Sequence, residues 1–289
     1  LNQTTCQEEN YTVVGRPARY LQFSRMPHID GNPDLALGNA LGSNIVNTGL
    51  ILGLTAIITP ILVQSKIVRK EIPLLLLISS VLGYFLWDGS LTRLESVLLL
   101  VGFFTLIGWS IYSAMKGKGD KLESEMVQEL VEHEMPIKKA VFWLVIGLVL
   151  LIVSSRVLVW GAVSIAEALG ISDLIIGLTI VALGTSLPEL AASIIAVRKG
   201  EHDIAIGNVV GSNMFNLLAV VGIAGVISPI TGMSSEVMSR DWLVMMGLTI
   251  ALLFMAYGFR GAGRISRLEG AGLIIAFCAY NTWLVSYVI

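Results

Sequence analysis

Charge is scarce in this chain. Only 14% of its 289 residues are Asp, Glu, Lys or Arg, against about 25% in soluble domains, and its mean hydropathy is strongly positive. A secreted or cytosolic globular protein is excluded, because most of such a surface could not face water. There is no basic excess either. Lys and Arg number 19 against 21 Asp and Glu, for a net charge of −2, which argues against a nucleic-acid partner. Cysteine is limited to Cys6 and Cys278, which suggest neither a disulfide framework nor a zinc site. No nucleotide motif appears, so an enzyme or an ATP-driven pump is not expected, and no resident cofactor is called for. The chain begins at Leu1 rather than Met, and nothing in its first thirty residues resembles a signal peptide; it reads as a fragment.

What is present is apolar sequence in long runs. Eight can be marked, at roughly 35–63, 72–88, 93–115, 138–169, 172–198, 202–229, 241–258 and 268–288. Their lengths suit helices crossing a lipid bilayer, where backbone polar groups must be satisfied within the segment. A β-barrel is excluded, since its strands would be about ten residues long and alternate polar with apolar. The fold class is therefore an all-α polytopic membrane protein. In the connections, Lys66, Arg69, Lys70, Lys116, Lys118, Lys121, Lys138, Lys139, Arg198, Lys199, Arg260, Arg264 and Arg267 fall on one side, against Arg93 and Arg240 on the other, leaving out the first thirty residues. The positive-inside rule places the 116–137 connection in the cytoplasm and the C-terminus outside. In that connection Glu123, Glu125, Glu129, Glu132 and Glu134 surround Met126, Val127, Leu130 and Val131. The pattern describes an amphipathic linking helix, and a regulatory cation site is the weaker reading because no EF-hand spacing is present.

An internal repeat carries most of the information. Residues 31–60 read GNPDLALGNALGSNIVNTGLILGLTAIITP and residues 200–229 read GEHDIAIGNVVGSNMFNLLAVVGIAGVISP. At one constant offset Gly31 meets Gly200, Asp34 meets Asp203, Asn39 meets Asn208, Gly42-Ser43-Asn44 meets Gly211-Ser212-Asn213, Asn47 meets Asn216 and Pro60 meets Pro229. The chain is a duplication. It divides into an atypical segment 1–30, a partial first repeat of three helices at 31–115, the linker 116–137 and a complete second repeat of five helices at 138–289. Five crossings invert the next copy, and inverted repeats build transporters with a substrate site at the midplane between copies.

Chemistry follows within these repeats. Gly184-Thr185-Ser186-Leu187-Pro188-Glu189 interrupts the run 172–198. A carboxylate at mid-bilayer costs about 2.5–3.5 kcal/mol on insertion scales, so Glu189 is expected to have a partner. Pro188 removes a backbone donor, and carbonyls freed by it, two hydroxyls and a carboxylate would make an oxygen-rich pocket suited to hard cations. A kinked helix whose glutamate bonds a neighbouring helix is the plainer alternative. In the next run Asn208, Ser212 and Asn216 recur every four residues on one stripe, Gly207 and Gly211 form a GxxxG pair for close helix approach, and the stripe repeats at Asn39, Ser43 and Asn47. One such stripe would read as interhelical glue. Two inverted copies converging on one point favour a cation site.

GTSLPE followed by GNxxGSNxxN in inverted halves resembles the α-repeats of the calcium/cation antiporter superfamily, in particular its bacterial sodium/calcium exchanger-like members. The resemblance covers nearly all of residues 31–289. It implies an inverted-repeat fold of ten transmembrane helices, of which eight are visible here, in the bacterial inner membrane. It also implies exchange of Ca²⁺ for Na⁺ or H⁺ by alternating access. The coordinating residues it implies are Thr185, Ser186, Glu189, Ser212 and Asn216 from the second repeat, with Ser43 and Asn47 from the first. Two departures stand out. Some members carry an aspartate where this chain has Asn216. The first GTSLPE is also missing, because the offset sets Gly15-Arg16-Pro17-Ala18-Arg19-Tyr20 opposite Gly184 to Glu189. Either residues 1–30 are misread, through a frame error or false start, or the protein lacks two helices and is a non-transporting remnant or needs a partner.

Other features carry less. His28, His133 and His202 read as solvated loop histidines, Arg156 and Glu167 as an interfacial or interhelical pair, Asp88 and Asp241 as helix ends, and Trp87, Trp143, Trp160, Trp242 and Trp283 as interface anchors or packing residues. The leading expectation is a secondary active cation antiporter; a non-transporting membrane scaffold of the same fold and a cation channel are the alternatives. The misreading of residues 1–30 predicts that a neighbouring frame of the nucleotide sequence encodes an LPE-like stretch opposite Glu189, and the absence of one refutes it.

Overall fold

The computed structural model describes residues 33–63, 70–116, 137–171, 173–258 and 263–286. The expectations for residues 1–30, for most of the linker, and for Cys6, His28 and His133 lie outside the described residues.

Helix α1 runs from Pro33–Ile45 through a π-helical turn, Val46–Ile51, into Leu52–Ile58. Helix α2 is Ile72–Phe85 and closes in a 3₁₀ turn, Leu86–Asp88. Helices α3 (Arg93–Lys116) and α4 (Ile137–Ala168) follow. Helix α5 is broken: its first half, Asp173–Ile176, Gly177–Val181 and Ala182–Thr185, ends at Ser186, and Leu187–Arg198 continues after a bend of 40°. Helix α6 comprises His202–Phe215, a π turn at Asn216–Val220 and Val221–Ile227. Helix α7 is Val237–Trp242 continued by Leu243–Tyr257, and α8 is Arg267–Ser286. Two short pairings tie connections together. Ile61–Leu62 (β1) pairs antiparallel with Arg264–Ile265 (β2), and Leu91 bridges Ile230.

Among the described residues six helices (α1, α3, α4, α6, α7 and α8) are long and apolar enough to cross a membrane, and α5 makes a seventh if its two halves form one span. Helix α2 is shorter, so the all-helical membrane fold stands while the count of eight spans is not confirmed.

The duplication extends to the breaks in the helices. In α1 the backbone N–H of Leu52 reaches the Asn47 carbonyl five residues back, and in α6 that of Val221 reaches Asn216. Both helices then end on an extended residue, Thr59 and Ser228. A π turn inserts one residue into the helical stride and turns the following side chains, and such turns gather at functional sites.

Helix α1 sits at the centre because it is rich in small residues. A Cβ added to Gly38 would lie 2.8 Å from the Leu174 carbonyl, and one on Gly42 would lie 2.5 Å from that of Leu178. On the opposite partner, a Cβ on Gly53 would lie 2.8 Å from the Gly270 carbonyl. Backbone contact with α5 and α8 is thus possible only with glycine at these positions. Helices α3 and α4, rich in Leu, Val and aromatics, leave nearly all of their apolar surface outward.

Acids at helix ends serve as caps. Thr92 with Glu95 and Ser266 with Glu269 form reciprocal capping boxes at α3 and α8. Asp88 closes α2 as expected, accepting from the Ser90 N–H at 3.0 Å beside Gly89, whose φ is 78°. Asp241 corrects its expectation. It lies inside α7, fully buried, held by Arg240 Nε at 2.7 Å and by the Tyr280 hydroxyl at 2.9 Å. Its ion-pair partner is its own neighbour and its second hydrogen-bond donor is on α8, which hydropathy reading does not reveal. His202 opens α6 with a buried Nδ1 and is not a solvated loop residue. Trp242 packs on Gly83 and donates to the Ser79 carbonyl at 2.9 Å, whereas Trp87, Trp143, Trp160 and Trp283 are exposed. Arg156 is an exposed residue of α4, and the Glu167 side chain lies outside the described ones.

Gly42→Ala is expected to lower the melting temperature of the detergent-solubilised protein, since overpacking costs about 1–3 kcal/mol. Gly247→Ala, where a new Cβ meets nothing within 4 Å, is expected to leave it unchanged or raised. Thermal denaturation followed by size-exclusion chromatography checks both.

Candidate cation site

Three polar groups lie where α1, α5 and α6 cross, alongside a buried cluster of Val46 and Ile51 from α1, Ala182 from α5 and Val209 from α6. The first is the carboxylate. Glu189 lies in the first turn of the second half of α5, and Ser212 of α6 donates to its Oε1 at 3.0 Å. Its Oε2 is buried and has no hydrogen-bond partner among the described residues. Asn208, one turn before Ser212, donates to the Glu189 carbonyl and to Ser193 Oγ, both at 3.3 Å, and so locks α6 to α5.

The second group is a hydroxyl cluster between α1 and α5. Thr185 Oγ1 donates to Asn39 Oδ1 at 3.0 Å and lies 3.2 Å from Ser43 Oγ, which itself donates to Asn39 Oδ1 at 3.3 Å. Ser43 and Asn39 are buried, and Thr185 is exposed among the described residues. Ser186 is buried at the break, with φ −92° and ψ 0°.

The third group lies on the axis that relates the two repeats. Asn44 Nδ2 donates to the main-chain carbonyl of Asn213, its own counterpart 169 positions on, at 3.2 Å. Asn47 Nδ2 donates to Asn213 Oδ1 at 3.0 Å, and the equivalent bond runs from Asn216 Nδ2 to Asn44 Oδ1 at 3.1 Å. The side-chain exchange is symmetric, but the remaining donors differ: Asn44 Nδ2 turns to the Asn213 carbonyl, whereas Asn213 Nδ2 donates to Thr48 Oγ1 at 3.0 Å, and the position equivalent to Thr48 holds Leu217. Asn47 Oδ1 is buried without a hydrogen-bond partner among the described residues.

Sequence reasoning placed these residues unevenly. Thr185 and Ser43 meet, as do Glu189 and Ser212, while Asn47 and Asn216 meet the opposite repeat through Asn213 and Asn44. One expectation is corrected. The carbonyl of Gly184, which Pro188 deprives of its usual N–H donor, does not open into the site, because the Ser155 hydroxyl of α4 donates to it. Gly207 and Gly211 do not seat a helix among the described residues, since a Cβ on either would meet nothing within 4 Å. Their counterparts Gly38 and Gly42 make that contact, against Leu174 and Leu178; the positions equivalent to Leu174 and Leu178 in the first repeat lie outside the described residues. Asn44, Asn213 and Thr48 were not singled out. The signal was present for the first two, because a residue identical in both copies but off the Asn39, Ser43, Asn47 stripe has the other copy to face.

Among the described residues, Glu189 Oε2 and Asn47 Oδ1 are buried without hydrogen-bond partners, and oxygen acceptors of this kind suit a hard cation. The family described as "Sodium/calcium exchanger protein" matches residues 24–112 and 139–286. The chain belongs to this family. The inner membrane protein YrbG of Escherichia coli is 40% identical over 87% of this chain and 78% of its own length. The sodium/calcium exchanger MaX1 of Methanosarcina acetivorans is 26% identical over 93% and 85%. Among solved structures, the sodium-calcium exchanger NCX_Mj soaked with Na⁺ and Ca²⁺ superposes with a TM-score of 0.65 at 30% identity, covering 86% of this chain and 75% of that one. A member of this exchanger family is a transporter, in keeping with a site that holds acceptors for an ion and needs no covalent chemistry.

Asn216→Ala removes the donor to Asn44 Oδ1, which is buried. Leaving such an atom unpaired costs about 1–3 kcal/mol, so this variant is expected to melt at a lower temperature than the parent.

Proposed function

We infer that this chain is a secondary active antiporter that exchanges Ca²⁺ for Na⁺ or H⁺ by alternating access, in a bacterial inner membrane, with the 116–137 connection in the cytoplasm and the C-terminus outside. The observation that carries the reading is Glu189: one carboxylate oxygen is held by Ser212 and the other is buried without a hydrogen-bond partner among the described residues. An ionised carboxylate withdrawn from water calls for a positive charge, and a transported cation supplies one that can leave again. Asn47 Oδ1 offers a second buried acceptor. Thr185, Ser186 and Ser43 contribute hydroxyls, and Asn216 contributes an amide in place of a second carboxylate. Ca²⁺, Na⁺ and H⁺ all compete for oxygen acceptors of this kind, and such competition at one site is what couples their opposed movements.

Uptake of ⁴⁵Ca²⁺ into everted vesicles under an imposed Na⁺ or H⁺ gradient tests the reading. Gradient-dependent uptake is expected, and Glu189→Gln, which keeps the hydrogen bond to Ser212 but removes the charge, is expected to abolish it. Uptake independent of either gradient identifies a channel. No uptake by a folded parent chain, or uptake unchanged by Glu189→Gln, refutes the antiporter.

A further inference from the structure

The symmetric exchange of amides across the repeat axis is not symmetric in what fixes its direction. An asparagine side chain offers an acceptor on one side and donors on the other, and the neighbours decide which faces where. For Asn44 the decision is forced. Its Nδ2 faces the Asn213 main-chain carbonyl at 3.2 Å and Met245 Sδ at 3.6 Å, and neither atom can donate. Its Oδ1 is therefore the only face it can turn to Asn216, which must answer with Nδ2, at 3.1 Å. The Asn216 Oδ1 is left pointing away from Asn44. On the other arm nothing compels a direction, because the Thr48 hydroxyl that meets Asn213 can donate or accept.

We propose that Asn44 is a positioning residue: it carries the polarity of the Asn213 main-chain carbonyl across the repeat axis to Asn216, and so fixes the Asn216 Oδ1 as a cation ligand. The proposal rests on the cation site inferred above and deepens it. Asn44 itself touches no ion. It is 2% exposed, and both of its polar atoms are taken by protein groups. Without it the Asn216 amide is free to turn, and one of its two orientations presents an NH₂ group that repels a cation. The effect belongs to ion affinity and not to turnover.

Because Asn44 acts through Asn216, the two positions are expected not to add. Asn44→Leu, of similar volume, is expected to raise the KM for ⁴⁵Ca²⁺ uptake about tenfold with the maximal rate within about twofold, a loss of about 1.4 kcal/mol in affinity. In an Asn216→Ala background the same change is expected to shift KM less than about twofold. Asn44→Ser, whose hydroxyl can both donate and accept, is expected to recover part of the affinity and serves as the probe if Asn44→Leu does not fold. Equilibrium dialysis of ⁴⁵Ca²⁺ against purified protein reads the same shifts without transport. Equal effects of Asn44→Leu in both backgrounds, or a folded Asn44 variant with unaltered affinity, overturn the positioning role while leaving the antiporter standing. A parent chain that neither transports nor binds ⁴⁵Ca²⁺ overturns both.

Discussion

The backbone contact between α1 and α5 is what the rest of the site depends on. Ser43 and Thr185 have short side chains, and they come within 3.2 Å of each other only because Gly38, Gly42 and Gly177 let the two helices touch main chain to main chain. In lipid no hydrophobic force distinguishes one apolar helix neighbour from another, so close packing and buried hydrogen bonds must select the partner. The glycines supply the first and the hydroxyls the second. Helix α1 is consequently the most enclosed of the spans, and its polar residues are screened from lipid on every described side.

Around that contact the duplicated sequence acts as two interlocking halves. The π turns place Asn47 and Asn216 at equivalent points, and each amide reaches into the opposite repeat. Polar groups that lipid cannot satisfy are thereby satisfied by residues of the opposite repeat. Among the described residues, Glu189 Oε2 and Asn47 Oδ1 are the side-chain acceptors of α1 and α5 left buried without a hydrogen-bond partner.

Much of this was legible in the sequence, for identifiable reasons. Long apolar runs announced the helices, and an ungapped repeat announced the inversion and drew attention to Glu189, Ser212 and the asparagine stripes. Legibility stopped where a partner comes from a distant helix. Nothing near Pro188 in sequence says that Ser155, on α4, takes the Gly184 carbonyl. Nothing near Asp241 says that Tyr280 lies beside it. The stripe argument likewise chose Asn47 and passed over Asn44, because a four-residue period follows a single helix face, and Asn44 looks across the axis rather than along the stripe.

The buried pair of Arg240 and Asp241 has a consequence for energetics. Moving one elementary charge through a membrane potential involves about 2.3 kcal/mol per 100 mV. Adjacent residues of opposite charge on one helix travel together, so any displacement of α7 does almost no net work against the field. Helix α7 can shift without sensing voltage. In the antiport cycle proposed above, this pair then adds nothing to the electrical work, and the membrane potential acts on charges other than those of the α7 scaffold.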